Sequence, residues 1–145
     1  MGGRGQGAAA VREVALDELD ALARRWWRDL PRGGVVWLSG ELGAGKTTFV
    51  QAVARAARAE PARSPSFALV HQYDSPEGTL VHVDCYRLRR AEEAMDLDLD
   101  ALAQQSRLLL IEWPERAGAW APAPNLHLRL GHAADPARRT VERLA

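Results

Sequence analysis

Gly40-Glu41-Leu42-Gly43-Ala44-Gly45-Lys46-Thr47 matches the pattern GxxxxGK[ST] at every fixed position. The chemistry requires these residue types in this order. Small residues let successive backbone N–H groups turn inward around phosphate oxygens, and the helix that follows aims its positive end at them. Lys46 then reaches the β and γ phosphates as a compact charge, and Thr47 offers a hydroxyl to Mg²⁺. Gly43, Ala44, Gly45 and Thr48 complete the candidate cradle. Lys46 is the only lysine in the chain; the other 18 basic residues are arginine. A planar guanidinium does not fit such a cradle, so arginine replaces lysine wherever any cation serves and fails to replace it here. ATP or another nucleoside triphosphate, with Mg²⁺, is the expected ligand.

A phosphate loop needs an acid at the end of a neighbouring apolar strand, to hold Mg²⁺ directly or through water. "LVHVD" ends at Asp84 and "LLLIE" ends at Glu112. Both carboxylates fall where the carboxyl edge of a parallel sheet belongs, and either can be the direct metal ligand. "RSPSF" adds Ser66, a hydroxyl in a proline-stiffened loop able to report on a γ-phosphate. Other tempting groups read plainly. Asp96, Asp98 and Asp100 imitate a calcium loop, but Ala101 replaces its glycine and Arg107 its closing glutamate, so they form a solvated face. His71, His82, His127 and His132 lack zinc-site spacing and read as surface or strand residues, and Cys85 as a small buried apolar group.

These groups need elements to hold them. Val35 to Leu38 is continuously apolar, as in a strand covered on both faces, and leads into the loop; a helix from Thr47 to about Arg58 follows it. Upstream, "VREVAL" reads as a short strand before a helix from about Asp17 to Leu30, with Asp17 as its cap and Trp26 in the core. "FALVHQY" and "TLVHVDCY" form a hairpin through Ser75-Pro76-Glu77-Gly78, residues 91–105 are at least partly helical, and "RLLLIEW" is a second buried strand. "NLHLRLGH" alternates, with "RRTVERL" as its hairpin partner. The sum is α/β with a mixed sheet.

The chain's 145 residues suit one domain, and 19 acids against 19 bases leave no basic field for nucleic acid. A lone cysteine and the lack of a long apolar run make a soluble, cytoplasmic protein the expectation, with no membrane contact. Residues 1–10 read as a flexible tail and residues 11–145 as the P-loop domain.

"GELGAGKTTF", "SPSFALV", "HVDCYRL" and "IEWPE" stand in that order between residues 40 and 115. With them the chain resembles the TsaE (YjeE) family, the P-loop ATPase of bacterial tRNA threonylcarbamoyladenosine synthesis. The resemblance covers nearly the whole chain. It departs at Ser64-Pro65-Ser66, where the family usually has Ser-Pro-Thr. It implies a single P-loop NTPase-like domain, a mixed sheet flanked by helices, with Mg²⁺-dependent ATPase activity that is weak alone. By the same resemblance Lys46 binds phosphate, Thr47 and Glu112 hold Mg²⁺, Asp84 orients water or supports the metal, Trp113 packs beside Glu112, and Arg138 lies near the base. It further implies partners, TsaD and TsaB, through which tRNA is contacted, and a role in sustaining their repeated turnovers. A small-molecule or nucleotide kinase is the alternative with the same loop, and it requires an acceptor pocket and a lid. A guanine-specific GTPase switch lacks its Asn-Lys-x-Asp motif here, and a nucleotide-binding module without turnover is a third reading.

Overall fold

The computed structural model describes residues 11–41, 43, 45–61 and 69–145. The expected tail, residues 1–10, lies outside them, as do Ala44 and the Ser64 to Phe67 segment. In chain order the elements are β1 (Val11–Ala15), α1 (Leu16–Asp29), β2 (Gly34–Ser39), α2 (Lys46–Ala57), β3 (Glu60–Pro61), β4 (Val70–Ser75) and β5 (Gly78–Asp84). Short 3₁₀ segments at Cys85–Arg87 and Ala91–Leu97 lead to α3 (Leu99–Gln105) and β6 (Leu108–Glu112). A further 3₁₀ segment, Pro114–Trp120, precedes β7 (Leu126–His132) and β8 (Arg138–Arg143).

The strands form one mixed sheet in the order β1-β8-β7-β2-β6-β5-β4-β3. Its centre, β7-β2-β6-β5, is parallel, and antiparallel strands finish both edges. β6 is buried along its whole length, as its unbroken apolar run requires. On one face Leu38, Leu110, Leu128 and Leu130 meet Leu19 of α1 and Phe49 and Val53 of α2. On the other, Val35, Val83, Leu109 and Ile111 meet Leu99, Ala103 and Ala117. Cys85 is buried there, and desolvation, reinforced by Asp84 and Glu115, pushes its thiol up to about 12, which removes it as a nucleophile at neutral pH. No helix among the described residues is long and apolar enough to cross a membrane.

Local details of α1 differ from expectation. Ala15, not Asp17, is the cap residue: the Glu18 carboxylate accepts the Ala15 N–H at 2.9 Å, while Asp17 lies inside the first turn and accepts from Glu18. Trp27 is the fully buried tryptophan; Trp26 packs at the margin, edge-on to Phe49 at 5.8 Å. The end of α1 is pinned by Arg107, a buried guanidinium that donates to the carbonyls of Trp27 and Pro31 and stacks on the Trp27 ring. Carbonyls left over at a helix C-terminus account for that placement. Asp98, one of the acids of the Asp96–Asp100 run, caps α3 by accepting from the Ala101 N–H at 3.3 Å.

Candidate functional site

Three elements end together at the carboxyl edge of the parallel strands. β2 delivers the glycine-rich loop, and in the next two strands Asp84 of β5 lies in register with Glu112 of β6, which pairs in turn with Leu38 of β2. The loop needs its glycines for space as well as for torsion. Gly40 has φ +134°, and a Cβ there would lie 2.2 Å from the Leu130 carbonyl oxygen of β7. Gly45, at φ +105°, caps α2 in the left-handed region, so the helix opens with Lys46 as its first residue.

A cavity of about 190 Å³ results, lined by Gly43, Gly45, Lys46, Thr47, Thr48, Asp84, Glu112 and Trp113. This is below the roughly 300–1,000 Å³ of whole small-molecule pockets, so it suits phosphate groups and a metal rather than an entire nucleotide. Lys46 is buried, and its Nζ donates to the carbonyls of Gly40 at 2.5 Å and Glu41 at 2.8 Å. Trp113 covers it, with its ring centroid 4.7 Å from the ammonium. Burial lowers the Lys46 pKa, and the charges of Glu112, Asp84 and Glu115 oppose that shift. Asp84 accepts from the Tyr86 N–H at 3.0 Å, which caps the 3₁₀ segment that follows β5.

Glu112 is 4% exposed, and its Oε2 lies 2.5 Å from Nε2 of His82, itself 7% exposed. His82 reads from the sequence as a surface or strand residue, and it is a strand residue, on β5; what the spacing of the histidines does not show is that it lies beside the candidate carboxylate. The available signal was its position two residues before Asp84, which on a strand puts both side chains on one face. Trp113 does pack next to Glu112's strand end, but with φ +55°, in contact with Tyr86 at 5.1 Å between centroids as well as with Lys46.

Arg138 is engaged elsewhere. Its guanidinium donates to the Glu13 carbonyl and pairs with the carboxylates of Glu13 at 3.6 Å and Glu18 at 3.4 Å. Strand alternation turns the next residue the other way. Arg139 is the arginine that lies against the loop, its Nε 3.2 Å from where a Gly45 Cβ would stand, and that buried nitrogen has no hydrogen-bond partner among the described residues. Arg138→Ala is therefore expected to leave ATP affinity within about twofold of wild type, whereas Arg139→Ala weakens it about tenfold by loosening the loop, a loss of roughly 1.4 kcal/mol. Isothermal titration of both variants checks this.

The fold and the site place the chain in the P-loop NTPase-like class: strand, glycine-rich loop and helix with a lysine in its first turn, beside two strand-end acids. Residues 14–141 match the family described as "Threonylcarbamoyl adenosine biosynthesis protein TsaE". The chain belongs to the TsaE family. It is similar to the "tRNA threonylcarbamoyladenosine biosynthesis protein TsaE" of Aquifex aeolicus, 41% identical over 85 residues, spanning 57% of this chain and 59% of that relative. The Rickettsia bellii protein of the same name is 34% identical over 116 residues, 79% of this chain and 80% of that one. The crystal structure of Bacillus subtilis YdiB superposes with a TM-score of 0.71 at 25% identity, covering 93% of this chain and 85% of that one.

Proposed function

We propose that this protein binds and hydrolyses ATP with Mg²⁺, as an accessory protein of tRNA threonylcarbamoyladenosine synthesis in the cytoplasm. It acts with TsaD and TsaB, contacts tRNA through them, and sustains their repeated turnovers. The observation that carries the ATPase reading is the convergence of Lys46, Asp84 and Glu112 from three elements on one cavity of phosphate size. The pathway is supported by membership of the TsaE family and by the names its relatives bear.

The residues present fit a nucleotide and its metal. The glycine-rich backbone and the start of α2 supply N–H donors, Lys46 supplies a cation already held by weak neutral acceptors, and Thr47, Asp84 and Glu112 supply hard oxygen. Mg²⁺, when bound, neutralises charge on the transferring phosphoryl group. Lys46 exchanges the Gly40 and Glu41 carbonyls for phosphate oxygens, Thr47 and Glu112 hold the metal, and Asp84 orients water or supports it. Ala44 and Ser66 belong to the same proposal but lie outside the described residues. Trp113 over Lys46 limits water at the reacting end.

The test is tRNA modification by TsaD and TsaB followed past one turnover, with and without this protein and ATP. Product continuing to accumulate only when both are present is the expected result. Equal accumulation without the protein overturns the accessory role. Phosphate release from ATP with no added acceptor separates the ATPase from the alternative, a kinase.

A further inference from the structure

We infer that His82 is a positioning residue that donates its Nε2–H to Glu112 and so fixes that carboxylate for the metal. The inference rests on the reading of Glu112 as the metal-holding acid and extends it to a residue outside the phosphate loop. An ionised carboxylate can only accept, so the 2.5 Å contact between His82 Nε2 and Glu112 Oε2 puts the proton on Nε2. Both side chains are more than nine-tenths buried, where an unpartnered carboxylate is costly.

The sheet explains how the pair is built. His71 of β4, His82 of β5 and Leu110 of β6 stand in one row across the sheet, and Glu112 follows Leu110 by two residues on the same face. The exposed His71 ring stacks on His82 at 5.6 Å between centroids, with planes 26° apart, and so restrains the buried ring from behind. The consequence lies at the cavity. Lys46 and Glu112 line the same cavity with opposite charges, yet Lys46 bonds to the loop carbonyls and Glu112 to His82. Each group is tied to its own partner, and the space between them is left for phosphate and metal. Partners of this kind, which orient a metal-holding group without touching the metal, change metal affinity or activity by about 10–100-fold when removed.

The test uses Mn²⁺ as a paramagnetic probe, titrated into the ADP-bound protein, together with the ¹⁵N–¹H spectrum of the histidines in the nucleotide-free protein. Four expectations follow from the geometry. In the free protein His82 shows the Nε2–H tautomer, and that resonance moves in Glu112→Ala. His82→Leu lowers Mn²⁺ affinity about 10–100-fold. His82→Gln, whose amide nitrogen reaches the same point, restores it to within about threefold, and His82→Asn, whose amide stops short, does not. Single-turnover ATP hydrolysis at limiting Mg²⁺ follows the same order. If His82→Leu does not fold, the Gln and Asn variants carry the comparison. Undiminished Mn²⁺ affinity in His82→Leu or His82→Asn, equal loss in Gln and Asn, or an Nδ1–H tautomer overturns the inference. A wild-type protein that takes no Mn²⁺ with ADP instead overturns the reading of Glu112 as the metal-holding acid, and the inference with it.

Discussion

Lys46→Arg abolishes useful ATP binding as completely as Lys46→Ala does. The substitution keeps the charge, so it separates geometry from electrostatics. The native ammonium sits 4% exposed between two carbonyls and the Trp113 ring, where its three donors can turn from Gly40 and Glu41 toward incoming phosphate. A guanidinium is larger and planar and presents donors in a fixed fork. To enter, it must push Trp113 aside or widen the loop, and at Gly40 the Leu130 carbonyl leaves no room even for a Cβ. Losing two hydrogen bonds to charged groups, at about 1.5–3 kcal/mol each, corresponds to a hundredfold weakening or more. Calorimetric titration of ATP and ADP measures it. Near-normal affinity in Lys46→Arg would refute the explanation of why one lysine survives in an arginine-only chain.

Glu112→Gln lowers Mg²⁺-dependent hydrolysis about a hundredfold or more while leaving ADP binding within a few fold. Amide and carboxylate have the same shape, so packing in the buried β6 end is preserved and the loss is one of charge at the metal. Several kcal/mol of charge stabilisation convert to that rate factor. If Asp84→Asn behaves this way and Glu112→Gln does not, the two acids exchange roles. The same variant tests what hydrolysis is for. In nucleotide switches, loss of the γ-phosphate releases segments that its contacts had ordered. If only the ATP form docks productively on TsaD and TsaB, Glu112→Gln co-elutes with them in ATP but fails to sustain repeated tRNA modification. A variant that binds and also supports full turnover excludes hydrolysis as the reset step. One that never binds ties the metal to the folding of the docking surface instead.

The glycine-rich loop was legible in the chain because everything it needs is local. Gly40, Gly43 and Gly45 take positive φ, the helix starts at Lys46, and a four-residue apolar run before the loop marks a strand covered on both faces. The acids were legible for a similar reason, since an apolar run ending in a carboxylate predicts both a buried parallel strand and the edge at which its charge emerges. The order of the longer elements and the hairpins at 70–84 and 126–143 followed from the same short-range patterns, whereas β3 at Glu60–Pro61 did not, because Pro61 reads as a break and only pairing with β4 makes the segment a strand.

What depended on contacts between distant residues was decided by the tertiary structure. No local pattern announces that β1 adds to β8, that Arg107 holds the last turn of α1, or that Trp113 covers Lys46. The choice between Arg138 and Arg139 turned on strand parity: a one-residue difference reverses a side chain's face, and only the pairing of β8 with β7 and β1 shows which face meets Gly45. His82 passed as an ordinary strand histidine because its partner lies 30 residues away. Its proximity to Glu112 is created when β5 and β6 align, and burial then makes that pairing the least costly way to keep a charged carboxylate inside the protein. Sequence thus determined which groups could do chemistry here, and sheet register determined which of them face one another.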